Sequence, residues 1–155
     1  MDLLALRAGN ILLGNEENAA AVEVQMFPFR VRFHADTSIA ITGADCRAQL
    51  DGVELPAWWG CSVKRGQVLE LRYPRSGARG YLCVAGGIDV PLVMGSRSTA
   101  LRGGFGGFAG RPLQRDDRLA CGGTIATPLP ASGIGIEPPE QACLLYTSDA
   151  ADDIL

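Results

Sequence analysis

The sequence has little histidine and lysine, and it lacks paired cysteines. Its 155 residues include one histidine, His34, and one lysine, Lys64. The five cysteines lie far apart without any C-x-x-C pair, so we expect no metal site. Scattered thiols of this kind are typical of free cysteines in a reducing compartment, which indicates a cytoplasmic protein.

The sequence also lacks long apolar runs and a basic field. No run approaches the roughly 18 apolar residues of a membrane span, and the first residues, Met1–Leu4, have no basic region or cleavage site of a secretory signal. The net charge is −3, and Asp149, Asp152 and Asp153 account for it. We therefore expect neither a membrane nor a nucleic acid as partner.

The hydrophobic content of 47% predicts one globular domain, or a large part of one. Residues 3–13 follow a helical pattern after Asp2, a good N-cap, and Gly14-Asn15 ends it. Apolar side chains surround most of this helix, which indicates that further sequence precedes it. We interpret residues 124–142 as a Pro/Gly-rich linker.

Beyond the helix the pattern changes to short segments of period two, separated by turn signals every eight to twelve residues. The predicted strands lie within residues 21–33, 38–42, 47–50, 53–55, 68–73 and 81–85, with a last one after the turn at 116–117. Asp51-Gly52 is a strong hairpin signal. The sequence therefore predicts a mainly β fold, an antiparallel barrel or sandwich, with one N-terminal helix.

Residues 95–111 combine hydroxyl groups, arginines and many glycines. Guanidinium groups match planar oxyanions, and glycine amides add further donors. We therefore expect a shaped loop that binds a carboxylate, a carbamoyl phosphate-like group or a carboxybiotin carbonyl. The candidate substrate-binding residues are Ser96, Arg97, Ser98, Thr99, Arg102, Gly106, Gly107 and Arg111.

An alternative interpretation gives the same residues structural roles. Ser96 and Thr99 would then cap turns, while Arg97 and Arg111 would pair with Asp89 or Asp116. The sequence leaves both interpretations open. No residue of the loop is identifiable as catalytic.

Other motifs are weaker. Residues 104–109 match a loose G-x-G-x-x-G/A pattern, but Gly110-Arg111-Pro112 follows where a dinucleotide site needs a helix. No Walker sequence is present, so no ATP cradle is recognisable. The pair Trp58-Trp59 is interpreted as an exposed interface patch or a stacking platform.

Several blocks together resemble a known family. They are GARGYLCVAGGIDVP at 77–91, GSRST at 95–99 and GGFAGR at 106–111, with NILLGN, TGAD and LDG upstream. These blocks closely resemble the allophanate hydrolase subunit 2 family, also called the biotin-dependent carboxyltransferase family, which includes the C-type subunit of bacterial 5-oxoprolinase. The similarity extends from Met1 to about Leu119.

The resemblance implies a cyclophilin-like β-barrel and a role as one subunit of ATP-dependent 5-oxoprolinase, which hydrolyses the lactam of 5-oxoproline to glutamate. ATP would act at the level of the complex, and the partners would be a subunit 1 homologue, a lactam-utilisation subunit and the small-molecule substrate. One alternative is a carboxyltransferase that uses carboxybiotin, as in urea carboxylase. Another is a non-catalytic antagonist of a kinase inhibitor.

The family pattern continues on both sides of the similar region, with a Gln-Asp-x-Gly-Arg block before it and a second half after it. We therefore expect residues 1–123 to be a truncated family domain that is inactive alone. Residues 143–155 resemble the translation of a transposon adapter used in sequencing libraries. We predict that they carry no biological information.

Overall fold

The computed structural model describes residues 2–122, 129–130 and 132–139. Within these residues the chain forms one helix, nine strands and a long loop that follows β8. The helix is α1 (Leu3–Leu12). The strands are β1 (Val22–Val24), β2 (Phe29–Arg32), β3 (Thr37–Asp45), β4 (Gln49–Leu50), β5 (Val53–Glu54), β6 (Trp59–Val63), β7 (Val68–Leu71), β8 (Ser76–Val84) and β9 (Ile134–Gly135).

Helix α1 begins and ends where its sequence predicts. The Asp2 carboxylate accepts a hydrogen bond of 3.1 Å from the Ala5 amide, which satisfies one of the free donors of the first turn. After Leu13 the chain turns at Gly14, whose φ is 69°. One face of the helix, with Ala5, Gly9 and Asn10, is buried against β3 and β8.

Five strands form the first sheet, in the order β1-β8-β3-β6-β9, and all pairs are antiparallel. Strand β8 therefore lies between β1 and β3. Ile41 is opposite Leu82, and Ile39 is opposite Val84; all four are buried. The sheet is covered by α1 on one face and by the main hydrophobic core on the other.

The second sheet has the order β2-β7-β4-β5 and is also antiparallel. Asp51 and Gly52 join β4 to β5 with φ values of 49° and 84°, the two positive values of a type I′ hairpin turn. Leu69 and Leu71 of β7 are fully buried in the core that both sheets share. The two sheets form an open, partial barrel, so the prediction of a mainly β fold with one helix is confirmed.

Three local predictions are wrong. No strand follows the turn at 116–117 within residues 118–122; instead Cys121 makes a single bridge to Ile88. Trp58 is buried, not exposed, and its indole donates a 2.9 Å hydrogen bond to the Gly43 carbonyl. Trp59 is half-buried against the main core, so the two tryptophans do not form an exposed patch.

The segment that we interpreted as a linker contributes to the first sheet. Ile134 and Gly135 form β9, which pairs with Gly60 and Trp59 of β6. The proposed adapter at 143–155 lies outside the described residues and stays a prediction. No helix in the described part of the chain is long and apolar enough to cross a membrane.

Candidate functional site

The loop that carries the predicted site residues starts at a tightly held turn after β8. The Asn15 side chain donates to the Val84 carbonyl at 2.8 Å and accepts from the Gly86 amide at 2.8 Å. It also donates to the side chain of the fully buried Asn10 at 3.0 Å. Two asparagines near the C-terminus of α1 thereby fix the point where the loop leaves the sheet.

A short hairpin forms the first part of the loop. The amides of Val93 and Ser96 bond to each other's carbonyls at 2.8 and 3.0 Å. Met94 and Gly95 at its tip have φ values of 51° and 76°, again the pattern of a type I′ turn. Beyond the hairpin, the Ser96 hydroxyl accepts a 3.1 Å hydrogen bond from the Ser98 amide, as the turn-capping interpretation predicts.

The glycines allow two parts of the loop to approach closely. Gly106 has a φ of 72°, and a Cβ there would lie 2.5 Å from the Ser98 carbonyl oxygen. A Cβ on Gly107, with a φ of 50°, would overlap the Thr99 hydroxyl. The structure therefore brings four predicted site residues together: Ser98 and Thr99 pack against Gly106 and Gly107.

Arg111 is part of the loop's scaffold. Its guanidinium makes two hydrogen bonds with the Asp117 carboxylate, at 2.7 and 2.9 Å, and lies 5.3 Å from the centre of the Phe108 ring. The bond from Arg111, followed by the Gln114 amide, lowers the pKa of Asp117 to about 2. The scaffolding interpretation is thus right in kind, but the partner is Asp117, not Asp89 or Asp116.

The other two arginines are placed differently. Arg97 is exposed and donates to the Val90 carbonyl, so its charge has no acidic partner among the described residues. Arg102 is also exposed, and it makes no ion pair within the part of the chain that the structure describes. Arg97, Arg102 and the exposed Ser98 are therefore the loop donors best available to an anionic or carbonyl-containing ligand.

A second concave region lies at the opposite end of β8, and sequence reasoning missed it. This cleft has a volume of about 600 Å³, and its walls include Asp45, Trp58, Ser76, Arg79 and Pro138. The antiparallel pairing of β3 and β8 places Asp45 opposite Ser76. Since a strand rises about 3.3 Å per residue, the eight steps of β8 separate the cleft from the loop by roughly 25 Å.

Charged groups beside the cleft are already paired. Arg79 contacts Glu23 at 3.2 Å, and the Tyr81 hydroxyl donates to the same carboxylate at 3.4 Å while it accepts from the Asp2 amide at 2.6 Å. Burial raises the pKa of Tyr81, and the Glu23 and Asp2 carboxylates add to this effect against the Asp2 amide. These contacts connect the start of α1 to β1 and β8.

The cysteines and His34 do not form a reactive site. Burial raises the pKa of Cys83 to about 12, and burial with the nearby Asp45 raises that of Cys46 to about 11, so both are neutral thiols at pH 7. Cys121 is exposed, but its pKa is also raised by burial of the thiol. Among the described residues no cluster of ligands suits a metal ion, and His34 is exposed.

The loop does not form a nucleotide cradle. A phosphate site of the Rossmann or Walker type needs a helix directly after its glycines, and residues 110–120 contain turns but no helix. The geometry of this loop therefore does not fit ATP. The rejection of the dinucleotide pattern at 104–109 agrees with this geometry.

Comparison with known proteins identifies the family. The sequence model described as "Carboxyltransferase domain, subdomain A and B" matches residues 1–149. The C-type subunit of 5-oxoprolinase from Escherichia coli is 46% identical over 134 residues, which is 86% of this chain and 43% of that protein. Urea amidolyase of Saccharomyces cerevisiae is 42% identical over 119 residues, which is 77% of this chain and 6% of that protein.

A solved structure supports the same assignment. The crystal structure of the Kluyveromyces lactis urea carboxylase superposes with a TM-score of 0.74 at 36% identity, over 77% of this chain and 10% of that one. The chain thus spans less than half the length of these relatives, each of which is an enzyme or part of one. From the family match and these similarities together, the chain belongs to the carboxyltransferase domain family.

Proposed function

We propose that this chain is part of a 5-oxoprolinase subunit of the C type. The whole complex would open the lactam C–N bond of 5-oxoproline to give glutamate, with hydrolysis of ATP. The observation that supports this assignment is the similarity to the E. coli subunit, which is higher and extends over more of the chain than the similarity to the yeast urea amidolyase.

In this proposal the loop binds the substrate through its exposed donors. Arg97, Ser98 and Arg102 are available to the carboxylate of 5-oxoproline or of a phosphorylated intermediate. Ser96 and Arg111 hold the loop in shape, and Gly106 and Gly107 let it pack against Ser98 and Thr99. ATP would be bound by the sister subunits, because the loop has no phosphate cradle, and its cleavage would supply the driving force.

A carboxyltransferase of the urea carboxylase type is the second candidate. The similarity to urea amidolyase and to the solved urea carboxylase favours it. The same three donors would then bind the carbonyl oxygen of carboxybiotin while a carboxyl group moves to an amide nitrogen. The third expectation, an antagonist of a kinase inhibitor, has no support from the relatives named above.

The test uses the full reading frame that contains this chain, produced together with its subunit 1 homologue and its lactam-utilisation subunit. We expect ATP hydrolysis that depends on 5-oxoproline and releases glutamate. In Arg102→Gln the KM for 5-oxoproline should rise about 10- to 100-fold, because a charge-assisted bond of about 1.5–3 kcal/mol is lost. Arg65→Gln, an exposed arginine in the turn after β6, is the matched control.

Two results would contradict the proposal. A complete complex without lactamase activity would exclude the 5-oxoprolinase assignment. Carboxyl transfer from carboxybiotin to urea by the same preparation would establish the second candidate instead.

A further inference from the structure

Large apolar side chains are exposed on the loop after β8. Leu92, Met94, Leu101 and Phe105 retain 63%, 89%, 59% and 46% of their accessible surface. They lie within 14 residues, on the hairpin at 93–96 and the adjoining turn at 100–105. We call these four side chains the 92–105 face. Scattered apolar residues on a surface are ordinary, but a group of this kind indicates an interaction site.

Met94 is the most informative member of this face. Its φ of 51° is one that asparagine and glycine adopt at little cost and that other residues adopt rarely. Its side chain is also the most exposed of the large apolar ones in the described residues. Neither turn geometry nor burial favours methionine here. A contact made only in a complex would account for it, since methionine adapts well to apolar partner surfaces.

The charge around the face is of one sign. From residue 90 to residue 115 the sequence contains four arginines and no acidic residue. Arg111 is paired with Asp117, while Arg97 and Arg102 flank the apolar side chains without an acidic partner among the described residues. An apolar centre with arginines at its edge matches a partner surface that is apolar with acidic residues around it.

The face has a defined shape before it binds. Hydrogen bonds of 2.8 to 3.0 Å close both turns, between Val93 and Ser96 and between Ala100 and Phe105. A preformed surface loses little conformational entropy on association with a protein. A lipid surface is favoured less, because two exposed guanidinium groups add little attraction to an anionic membrane and the chain as a whole has a charge of −3.

We propose that the 92–105 face docks on an apolar, acidic-rimmed surface of a sister subunit. This inference rests on the proposed function, which places the chain in a complex with other subunits. It adds the location of the contact, next to the donors Arg97, Ser98 and Arg102, so that substrate would bind at or beside the interface between subunits.

The experiment compares two exposed methionines. Met94→Asn introduces a residue that suits the type I′ turn, so the fold should be retained. Met26→Asn is the matched control: Met26 is 85% exposed and follows β1 beside the opposite end of β8. Each variant is made in the full reading frame, and its affinity for the purified sister subunits is measured by interferometry, with thermal unfolding as the check of folding.

We expect the dissociation constant to rise at least tenfold for Met94→Asn and to stay within twofold of the wild type for Met26→Asn. Charge reversal in Arg102→Glu should weaken binding further, and the wild-type affinity should fall as salt is added. Unchanged binding by a folded Met94→Asn protein would overturn the docking proposal. So would an absence of wild-type binding to the sister subunits.

Other occupants are recognised by parallel measurements. A wild-type homodimer in sedimentation that Met94→Asn dissociates would assign the face to a second copy and overturn the proposal. Binding to vesicles of phosphatidylcholine and phosphatidylserine that depends on Met94 would do the same. Lactamase activity is measured in the same preparations: a complex that forms through Met94 but is inactive contradicts only the proposed function, and an active complex insensitive to Met94→Asn contradicts only the docking.

Discussion

The Arg111 guanidinium and the Asp117 carboxylate face each other in a two-pronged ion pair, with N···O distances of 2.7 and 2.9 Å. The same carboxylate accepts the Gln114 amide at 2.7 Å. The pair therefore joins the end of the glycine-rich loop to the turn that follows it. Because Arg111 also lies over Phe108, this one contact holds both the charged and the aromatic part of the loop's end.

The pair makes stability depend on acid. The bond from Arg111 lowers the pKa of Asp117 from 3.8 to about 2 in the folded protein. A group whose pKa is lower in the folded state contributes stability above its unfolded pKa and loses that contribution as the pH falls. Asp117→Asn should therefore have a lower Tm than the wild type at pH 5 to 7.

This Tm difference should shrink between about pH 4 and about pH 2. Thermal unfolding followed by circular dichroism at closely spaced pH values measures it. A Tm difference that stays constant over this range would show that the ion pair does not titrate as described.

Two glycines of the loop should respond differently to the same substitution. Gly104→Ala costs about 1–2 kcal/mol, because its φ of 67° disfavours a side chain although the space around it is open. Gly107→Ala adds an overlap with Thr99, so we expect a larger loss and faster hydrogen exchange over residues 98–111. Equal exchange in the two variants would contradict the close packing of the loop.

Gly9 contradicts the usual rule for glycine in a helix. Alanine normally stabilises a helix by about 1 kcal/mol relative to glycine, but a Cβ on Gly9 would lie 2.7 Å from the Cys83 sulfur and 3.1 Å from the Thr42 hydroxyl oxygen. We expect Gly9→Ala to lower the free energy of unfolding by about 1–3 kcal/mol. In a double-mutant cycle measured with urea, Cys83→Ala should recover part of this loss; strictly additive effects would rule out the contact.

Asn15→Ala should loosen the start of the loop. The substitution removes the side-chain bonds to the Val84 carbonyl and the Gly86 amide and leaves buried groups unpaired, which costs about 1–3 kcal/mol. Urea unfolding gives this value, and amide exchange at Gly86 should become faster. Asn18→Ala, at an exposed position three residues further on, serves as the control and should change neither quantity.

Local signals predicted much of the fold. The Asp2 cap, the alternation before Phe33 and the Asp51-Gly52 turn act over a few residues, and each has the predicted outcome. Strand β9 could not be predicted in this way, because its two residues are ordered only by the edge of β6 at Trp59. Likewise, Trp58 is buried because the Gly43 carbonyl, distant in sequence, accepts its N–H.

The candidate site shows the same limit. Composition identified a loop of arginines, hydroxyls and glycines, but it did not separate Arg111, which is paired, from Arg102, which is exposed. The partner of Arg111 depends on the turn that aims Asp117 at it. The cleft at the other end of β8 arises from the register that places Asp45 opposite Ser76, and no local pattern contains that register.

The central position of β8 has a consequence for biosynthesis. Its two neighbours, β1 and β3, precede it by more than thirty residues, so neither can complete its hydrogen bonds until Val84 has left the ribosome. During that interval the nascent chain exposes the apolar side chains of β3 and unpaired strand edges, the features that make a chain prone to aggregate. Folding of the first sheet is therefore delayed until its middle strand has been translated.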